Sequence, residues 1–403
     1  MINISLSSYS NASDERYLNA PQVHYYSNLI FYFLDKFNVI CYQHIVRSDL
    51  LKNVSRVVVK FGTGILTDEN RQLDSNRVGQ LVAQVSELHS SGKEILIVTS
   101  GAVGAGMGIL GFKKRPVQLS ELQACAAVGQ SRLMTIYTEL FSKHGINVAQ
   151  VLLTHDDVEH HDRHLNVRNT LVTLLNHRVV PIINENDVVS TTELKFGDND
   201  RLSALVATLL PADLLIILTS VDGLIENYGK PDERVIPIVN KIDSNTEKLA
   251  GGTVSHLSVG GMKTKIEAAK IVVRSGIPMI IASGKKKDTL ANIFALKEEG
   301  TLFVPNEKKL KGRKRWIAFF HHPKGTIFLD NGAKIALREK GKSLLKPGII
   351  RCEGQFSAGD VIMICDIDGT EFARGITRYS AEQICSNEKI TNEVVHRNDL
   401  VIL

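Results

Sequence analysis

The sequence predicts an α/β protein, with a mainly parallel open sheet sandwiched by helices, followed by a small β-rich, barrel-like domain. Between Val57 and about Phe303, apolar runs of strand length alternate with segments whose apolar residues recur at helical spacing. The strand-like runs are almost continuously apolar, as burial on both faces requires. Beyond about Asn306, short β-branched runs are separated by turn residues instead.

Six strands and five helices are predicted in the α/β region. The strands are VVVKF, ILIVTS, VAQVLLT, VVPIIN, LLIILT and PMIIAS. The helices lie near 75–91, 119–143, 164–177, 201–210 and 263–275. Their alternation predicts βαβ units. Ligands of open α/β sheets bind at the carboxyl ends of the strands, so a site is expected there.

The chain divides into four predicted regions. These are an N-terminal extension at 1–53, the α/β domain at 54–304, a basic linker at 305–324 and the β-rich domain at 325–403. The linker run NEKKLKGRKR is interpreted as solvated rather than as a nucleic-acid patch. The extension is rich in aromatic residues, but its apolar pieces are too short to span a bilayer. It also lacks the features of a signal peptide, so no membrane association is expected.

Composition narrows the class of protein. A net charge of +5 over 403 residues is mild and does not indicate a dedicated nucleic-acid binder. The five cysteines are scattered, odd in number and contain no CxxC pair. They therefore predict neither a metal site nor a disulfide framework, and they favour a reducing cytoplasm.

The most polar stretch of the α/β region is VPIINENDVVSTTELKFGDNDRLSA, from Val180 to Ala204. It carries two clusters of side-chain carboxylates and amides: Asn184, Glu185, Asn186 and Asp187, then Asp198, Asn199 and Asp200. So many polar groups would be costly to bury in an ordinary core. They predict a polar site where a strand ends and a helix begins. The alternative is a turn followed by a helix N-cap, since Asp and Asn favour both.

Two other strands run into glycine-rich turns. VVVKFGTGILT places Lys60 before Gly62 and Gly64, and ILIVTSGAVGAGMGILG places Ser100 before Gly101. Such turns let backbone N–H groups approach an anion closely, and a lysine adds a positive charge. The first has neither Walker A spacing nor the dinucleotide-binding fingerprint. For the first segment the alternative is a turn without a function, and for the second it is close packing of a helix on a strand.

A fourth segment, VGGMKTKIEAAKIVVRSG, places Lys263 and Lys265 near the start of a predicted helix. The helix dipole disfavours a cation there unless an anion lies nearby. A pair of solvated lysines is the alternative. Together the four segments supply lysines, carboxylates and glycine turns, which are the groups that phosphoryl transfer needs.

These segments, in this order, resemble the glutamate 5-kinases, a branch of the amino-acid kinase family with a C-terminal PUA domain. The resemblance covers about residues 55–403 and also rests on AAVGQSRL and on GTLF and RKRW near the linker. It implies the amino-acid kinase fold and a PUA-like C-terminal domain. It also implies ATP-dependent phosphorylation of the γ-carboxylate of L-glutamate, the first step of proline biosynthesis.

The resemblance gives particular residues expected roles. Lys60 would contact the phosphates of ATP, and Lys265 would stabilise the transferring phosphoryl group. Asp200, with Asp198 as a second candidate, would hold the lysines in place. The residues implied to bind glutamate are Ser100, Asn184, Asp187 and Asn199. The residues implied to line the nucleotide site are Lys60, Thr219, Ser220, Val259, Gly260, Gly261, Met262, Lys263, Thr264 and Lys265.

ATP and Mg²⁺ are the cofactors that the resemblance implies. Expected partners are L-glutamate, proline as a competing inhibitor, further copies of the chain in a homo-oligomer, and glutamyl-phosphate reductase through functional coupling. RNA binding by the PUA-like domain is a further candidate.

Two alternative functions stay open. The chain could be an RNA-binding or regulatory protein with a degenerate kinase site, because Ser220, Val259 and Lys263 replace residues usual in the family. It could also phosphorylate another acidic amino acid, such as acetylglutamate or aspartate. The segment HDDVEHHDRH, 155–164, resembles a metal cluster but is interpreted as a surface loop.

Overall fold

The computed structural model describes residues 42–68, 72–154, 157–158, 161–189, 199–251, 261–306, 314, 317–318, 323–386 and 390–403. The chain forms a short unit ending at Arg47 and a compact unit from Ser48 to Leu403. Within the described ranges, no helix is both long and apolar enough to cross a membrane.

The first domain is built on a sheet of eight strands. They are β1 (Arg56–Phe61), β2 (Glu94–Thr99), β3 (Val148–Leu153), β4 (Val180–Glu185), β5 (Leu214–Thr219), β8 (Ile238–Val239), β9 (Met279–Ser283) and β10 (Thr301–Phe303). A separate hairpin pairs β6 (Ile225–Glu226) with β7 (Arg234–Val235). The sheet order is β3-β4-β2-β1-β5-β9-β10-β8. Only the β9–β10 pair is antiparallel, so the mainly parallel sheet is confirmed.

The sheet follows from the apolar runs of the sequence. The six predicted strands are confirmed as β1 to β5 and β9. Every residue of β1 except the first is buried, and every residue of β5 except the last is buried. Strands β8 and β10 were not predicted, because two or three residues are too few to show a periodic pattern.

Nine helices with described bounds lie between Thr63 and Phe294. They are α1 (Thr63–Leu66), α2 (Ser75–Ser90), α3 (Ala102–Ile109), α4 (Leu119–Ser142), α5 (His161–Asn176), α6 (Asn199–Leu209), α7 (Ser244–Gly251), α8 (Met262–Arg274) and α9 (Thr289–Phe294). The five predicted helices are confirmed as α2, α4, α5, α6 and α8. Capping residues also mark helix ends. Asp74 caps α2, because its side chain accepts hydrogen bonds from the N–H groups of Asn76 and Arg77.

The predicted surface loop at 155–164 is wrong where it is described, because residues 157–158 and 161–164 are helical. Helix α5 already begins at His161, and His164 is buried with Nδ1 3.1 Å from the carbonyl oxygen of Val158. Asp157 is engaged locally, since its carboxylate accepts from the N–H and hydroxyl of Thr154. Among the residues that are described, no group of three His, Cys, Asp or Glu side chains could hold a metal ion.

Helices α3 and α4 are in contact at backbone distance, which explains two glycines. A Cβ on Gly106 would lie 1.8 Å from the carbonyl oxygen of Cys125, and one on Gly129 would lie 1.8 Å from that of Ala102. Neither gap can hold a side chain. Close packing therefore explains Gly106, but its partner is helix α4 and not a strand, so the expected helix–strand packing is wrong in that respect.

The C-terminal domain has its own sheet and core. Its elements are β11 (Gly325–Leu329), β12 (Ile349–Gly354), β13 (Val361–Cys365), β14 (Glu371–Ile376), β15 (Leu400–Ile402), α10 (Asn331–Arg338) and α11 (Ala381–Cys385). The sheet order is β12-β11-β13-β14-β15, with β11 and β13 parallel. Val361 and Val401 join the core of the first domain, together with Ile317 and Ala318 of the linker. The two domains thus share apolar contacts.

We expect Gly129→Ala to lower the free energy of unfolding by about 3 kcal/mol, because the new methyl group collides with the backbone of α3. Urea unfolding at constant m-value measures this loss. Gly79→Ala is the matched control within a helix, since its Cβ would meet only Leu140 Cδ2 at an ordinary 3.5 Å. That control should be neutral or stabilising. Equal stability of the two variants would contradict the packing argument.

Candidate active site

One cleft lies at the carboxyl ends of four adjacent strands, β4, β2, β1 and β5. Each strand delivers a polar group as it ends: Lys60 from β1, Ser100 after β2, Asn184 from β4 and Thr219 from β5. Parallel pairing aligns these ends at one edge of the sheet. The cleft is therefore a direct result of the topology.

A buried carboxylate holds two lysines at this cleft. Asp200 Oδ1 lies 2.7 Å from Lys60 Nζ, and Asp200 Oδ2 lies 3.1 Å from Lys265 Nζ. The three residues are only 2%, 6% and 5% exposed, respectively. Thr264 Oγ1 adds a hydrogen bond of 2.6 Å to Asp200 Oδ2. Both lysines line the cleft, so they offer positive charge to a ligand while Asp200 lies behind them.

Asp200 is ionised in this setting. Burial alone would raise the pKa of its carboxyl group, but the adjacent Lys60 and Lys265 outweigh burial and hold the pKa well below its ordinary range. Asp200 also stands in the first turn of α6, where the helix dipole favours an anion. The anion expected near Lys265 at the start of α8 is therefore Asp200.

A second network joins the amide and hydroxyl groups of the cleft. Asn199 Nδ2 lies 3.0 Å from the carbonyl oxygen of Thr99, 3.0 Å from Ser100 Oγ and 3.1 Å from Asn184 Oδ1. Asn184 Nδ2 in turn donates to Gln130 Oε1 at 2.9 Å. Asn199 Oδ1 is buried and has no hydrogen-bond partner among the described residues. A buried acceptor in that state indicates a place for a ligand donor.

The start of α3 forms one wall of the cleft. Gly101 has a φ of 103°, a left-handed conformation that glycine adopts without strain, and it directs the chain into the helix. Ala102, Val103 and Gly104 line the cleft with the first turn of that helix. The first N–H groups of a helix have no partner within it, so this wall favours an anion.

Acidic and basic side chains meet at a third part of the cleft. Asp187, Glu185 and Arg115 all line it. Burial first, and then the neighbouring Glu185, raise the pKa of Asp187 to about 7, against the opposing effect of Arg115. An approaching cation would reverse this shift, because it favours the charged carboxylate.

Some of the remaining predicted site residues line the cleft or lie beside it, and others do not. Thr219 and Ser220 line the cleft, and Gly261 is the N-cap of α8, where its carbonyl oxygen is 2.9 Å from Thr264 Oγ1. Met262, by contrast, packs in the apolar core, and Lys263 is exposed and does not line the cleft. The other three predicted residues, Asp198, Val259 and Gly260, lie outside the described residues.

The predicted site residues leave out three polar side chains that line the cleft, those of Thr63, Arg115 and Glu185. Glu185 lies in the polar stretch from Val180 to Ala204, next to Asn184, which was predicted as a site residue. Thr63 sits between the two glycines of the first turn, where its hydroxyl was a usable signal. Arg115 follows Lys113 and Lys114 in a basic loop, and nothing in such a run distinguishes a cleft residue from a solvated one.

Comparisons with known proteins identify the family of this chain. The model of the amino acid kinase family matches residues 55–283, and the model of the PUA domain matches residues 325–397. Glutamate 5-kinase from Geobacter sulfurreducens is 46% identical over 373 residues, which cover 89% of this chain and 100% of that protein. The chain belongs to the glutamate 5-kinases of the amino acid kinase family. Another glutamate 5-kinase, from Caldanaerobacter subterraneus, is 44% identical and covers 86% of this chain and 98% of its own.

Among solved structures, carbamate kinase from Giardia lamblia bound to AMP-PNP is similar with a TM-score of 0.45 and 19% identity. The structural match covers 64% of this chain and 100% of the carbamate kinase chain.

We expect Asp200→Asn to lower the free energy of unfolding by about 3–5 kcal/mol, because it leaves two buried lysines without their counter-ion. Glu226→Gln is the control, since it removes the partner of the exposed Arg234 and should cost under about 1 kcal/mol. Urea unfolding at pH 7 compares the two.

The stability of Asp200→Asn relative to the native chain should also depend on pH. Because the folded protein lowers the pKa of Asp200, its carboxylate stabilises the fold above the ordinary value of 3.8 and loses that contribution as the pH falls below it. The stability difference between the native chain and Asp200→Asn should therefore shrink on acidification below about pH 4. A difference that is constant from pH 7 to pH 3 would refute the ion-pair interpretation.

Proposed function

We propose that this chain transfers the γ-phosphoryl group of ATP to the γ-carboxylate of L-glutamate, which gives L-glutamyl 5-phosphate and ADP. The observation that carries the proposal is the buried Lys60–Asp200–Lys265 bridge beside a cleft with polar groups suited to an amino acid. The relatives named glutamate 5-kinase support the choice of acceptor.

The chemistry requires charge compensation rather than a base. A carboxylate is already ionised at neutral pH, so an oxygen of the γ-carboxylate attacks the γ-phosphorus directly. The new O–P bond forms as the bond to the β–γ bridging oxygen breaks, and that oxygen leaves on ADP. Two anions must approach each other in this step. Lys60 and Lys265 would bind the phosphate oxygens and offset both this repulsion and the charge of the transition state.

Asp200 would act by positioning the lysines. One carboxylate that bonds both ammonium groups fixes the distance between them in a buried part of the site. It also leaves the bridge with a net charge of one positive unit, which suits an anionic ligand.

The amino-acid end of the substrate fits the other side chains of the cleft. The unpartnered Oδ1 of Asn199 and the carboxylate of Asp187 are acceptors suited to an ammonium group. Ser100, Arg115 and the first turn of α3 are donors suited to the α-carboxylate. The combination selects an acceptor that carries both a cation and a carboxylate.

Mg²⁺ fits this site as a companion of ATP rather than as a resident ion. Both oxygens of Asp200 are engaged by Lys60, Lys265 and Thr264. Magnesium is commonly held by substrate phosphates and water with few protein ligands, and bound in that way it neutralises phosphate charge.

The wider biological setting belongs to the same proposal. We place the reaction at the first step of proline biosynthesis in the cytoplasm, in a homo-oligomer that is functionally coupled to glutamyl-phosphate reductase. Binding of the reductase to the purified chain, and the sedimentation of the chain at several concentrations, test the two associations.

The decisive experiment measures the acyl phosphate itself. Purified protein with ATP and Mg²⁺ should form hydroxamate from hydroxylamine in the presence of L-glutamate, and far less with N-acetylglutamate or aspartate. We expect Lys265→Met to reduce kcat by about 10²–10³-fold or more, because a donor to the transferring group is lost. Lys248→Met, which removes an exposed lysine of α7, is the control and should retain activity.

Two outcomes would redirect the proposal. Hydroxamate formed from N-acetylglutamate or aspartate in preference to glutamate would show a kinase with another acceptor. Folded protein without activity toward any of the three acids would favour the degenerate-site alternative, with RNA binding as the property to measure next.

The raised pKa of Asp187 predicts a pH dependence of substrate affinity. An ammonium ligand requires the carboxylate form, so binding is impeded while Asp187 is protonated below its pKa of about 7. The KM for glutamate should fall about tenfold between pH 6 and pH 8. Asp187→Asn should raise the KM and flatten this profile. A profile of the same shape in both proteins would assign the titration to another group.

Proline inhibition is the regulatory part of the proposal. Proline carries the same α-carboxylate and a cationic nitrogen, so it would use the acceptors and donors proposed for glutamate. We expect added proline to raise the apparent KM for glutamate while kcat stays constant in initial-rate assays. An unchanged KM at saturating proline would exclude competition at this site.

A further inference from the structure

A second cavity, of about 530 Å³, lies where the first domain, the linker and the C-terminal domain meet. Five basic side chains surround this junction cavity: Arg274, Lys314, Arg338, Lys342 and Arg397. They come from different elements, since Arg274 ends α8, Lys314 belongs to the linker, and the others belong to the C-terminal domain. The cavity is separate from the kinase cleft, with which it shares no lining residue.

The charges of the junction cavity are not balanced. No Asp or Glu side chain is among its described lining residues. None of the five basic side chains makes an ion pair or hydrogen bond within the described part of the chain. Like charges that face one space repel each other, so this arrangement costs free energy until an anion enters.

A solvated basic surface is the plain alternative, and two of the five cations fit it. Arg274 and Arg338 stand in the last turns of α8 and α10, where the helix dipole favours a cation. The dipole does not account for Lys314, Lys342 or Arg397. Solvated surfaces usually intersperse the two signs of charge, whereas here one sign lines a concave space.

The floor of the cavity is apolar. Leu337, Leu400 and Val401 line it and are at most 5% exposed as residues. Small-molecule sites commonly combine an apolar floor with a few polar groups, in a volume of about 300–1,000 Å³. A basic rim over an apolar floor suits an anion that also has an uncharged part.

We propose that the junction cavity binds a small molecule with two or more phosphate groups, such as an organic polyphosphate. Adjacent phosphates concentrate negative charge over a few ångströms, which only several cations can match. Arginine also binds two oxygens of one phosphate through parallel N–H donors, and three of the five cations are arginines. The cavity is therefore a polyanion site in addition to the kinase cleft.

The test uses tripolyphosphate as the probe and isothermal titration calorimetry of the full chain at about 0.1 M salt. The junction variant combines Arg338→Gln, Lys342→Gln and Arg397→Gln, all at exposed positions. The control variant combines Lys143→Gln, Lys230→Gln and Lys248→Gln, which are exposed lysines without ion pairs in the described structure. Both variants lose three positive charges, so they share the same change in net charge.

The kinase cleft offers tripolyphosphate a second place to bind, so two saturable events are expected in the native chain and in the control. In the junction variant one event should be lost or weakened at least about tenfold, which is what three weak ion pairs together contribute. Identical isotherms for all three proteins would overturn the proposal. If only binding of a single-stranded RNA 12-mer were weakened, the junction would be a nucleic-acid surface, and the proposal would likewise fall.

Folding is checked by thermal melting of each variant. If the junction variant does not melt as the native chain does, Lys342→Gln alone provides the same comparison with Lys248→Gln as its control. The inference is independent of the proposed reaction, because loss of the junction site leaves hydroxamate formation from glutamate as a separate measurement.

Discussion

The active-site end of the first domain depends on one buried carboxylate between two buried ammonium groups. Lys60 comes from the centre of the sheet, Asp200 from the first turn of α6 and Lys265 from the first turns of α8. Removing three charges from water is costly, and only short, well-aligned contacts offset that cost. Strand β1 and helices α6 and α8 are thereby held in one relative position, and that position defines the phosphate end of the cleft.

The other wall of the cleft depends on close packing between two helices and not on paired charges. Helices α3 and α4 approach so closely that Gly106 and Gly129 have no room for a Cβ. The same contact fixes the start of α3, whose first residues line the cleft. Gln130, next to Gly129, bonds Asn184 and so links the helix pair to the amide network. A packing defect at Gly129 would therefore reach the substrate side of the site.

The cleft and the junction cavity show two ways in which a protein presents positive charge. In the cleft the lysines are buried, paired with Asp200 and fixed in place, which suits a reaction that needs exact alignment. At the junction the cations are exposed and make no ion pair within the described part of the chain, so a ligand would have to order their side chains on binding. The first arrangement favours catalysis, and the second is sufficient for reversible binding.

The sequence by itself determined the elements of the first domain and the residue types of its site. Long apolar strands and amphipathic helices are local signals, and Asp, Asn, Gly and Lys clusters marked the strand ends that carry the cleft. Only the tertiary structure decided which of those residues meet. Asp200 pairs with Lys60, 140 positions earlier, and Lys263 is exposed although it stands two residues from the buried Lys265. Arg115 and the junction cations looked like ordinary solvated charge. Their surroundings depend on contacts between distant segments, and a local pattern carries no record of such contacts.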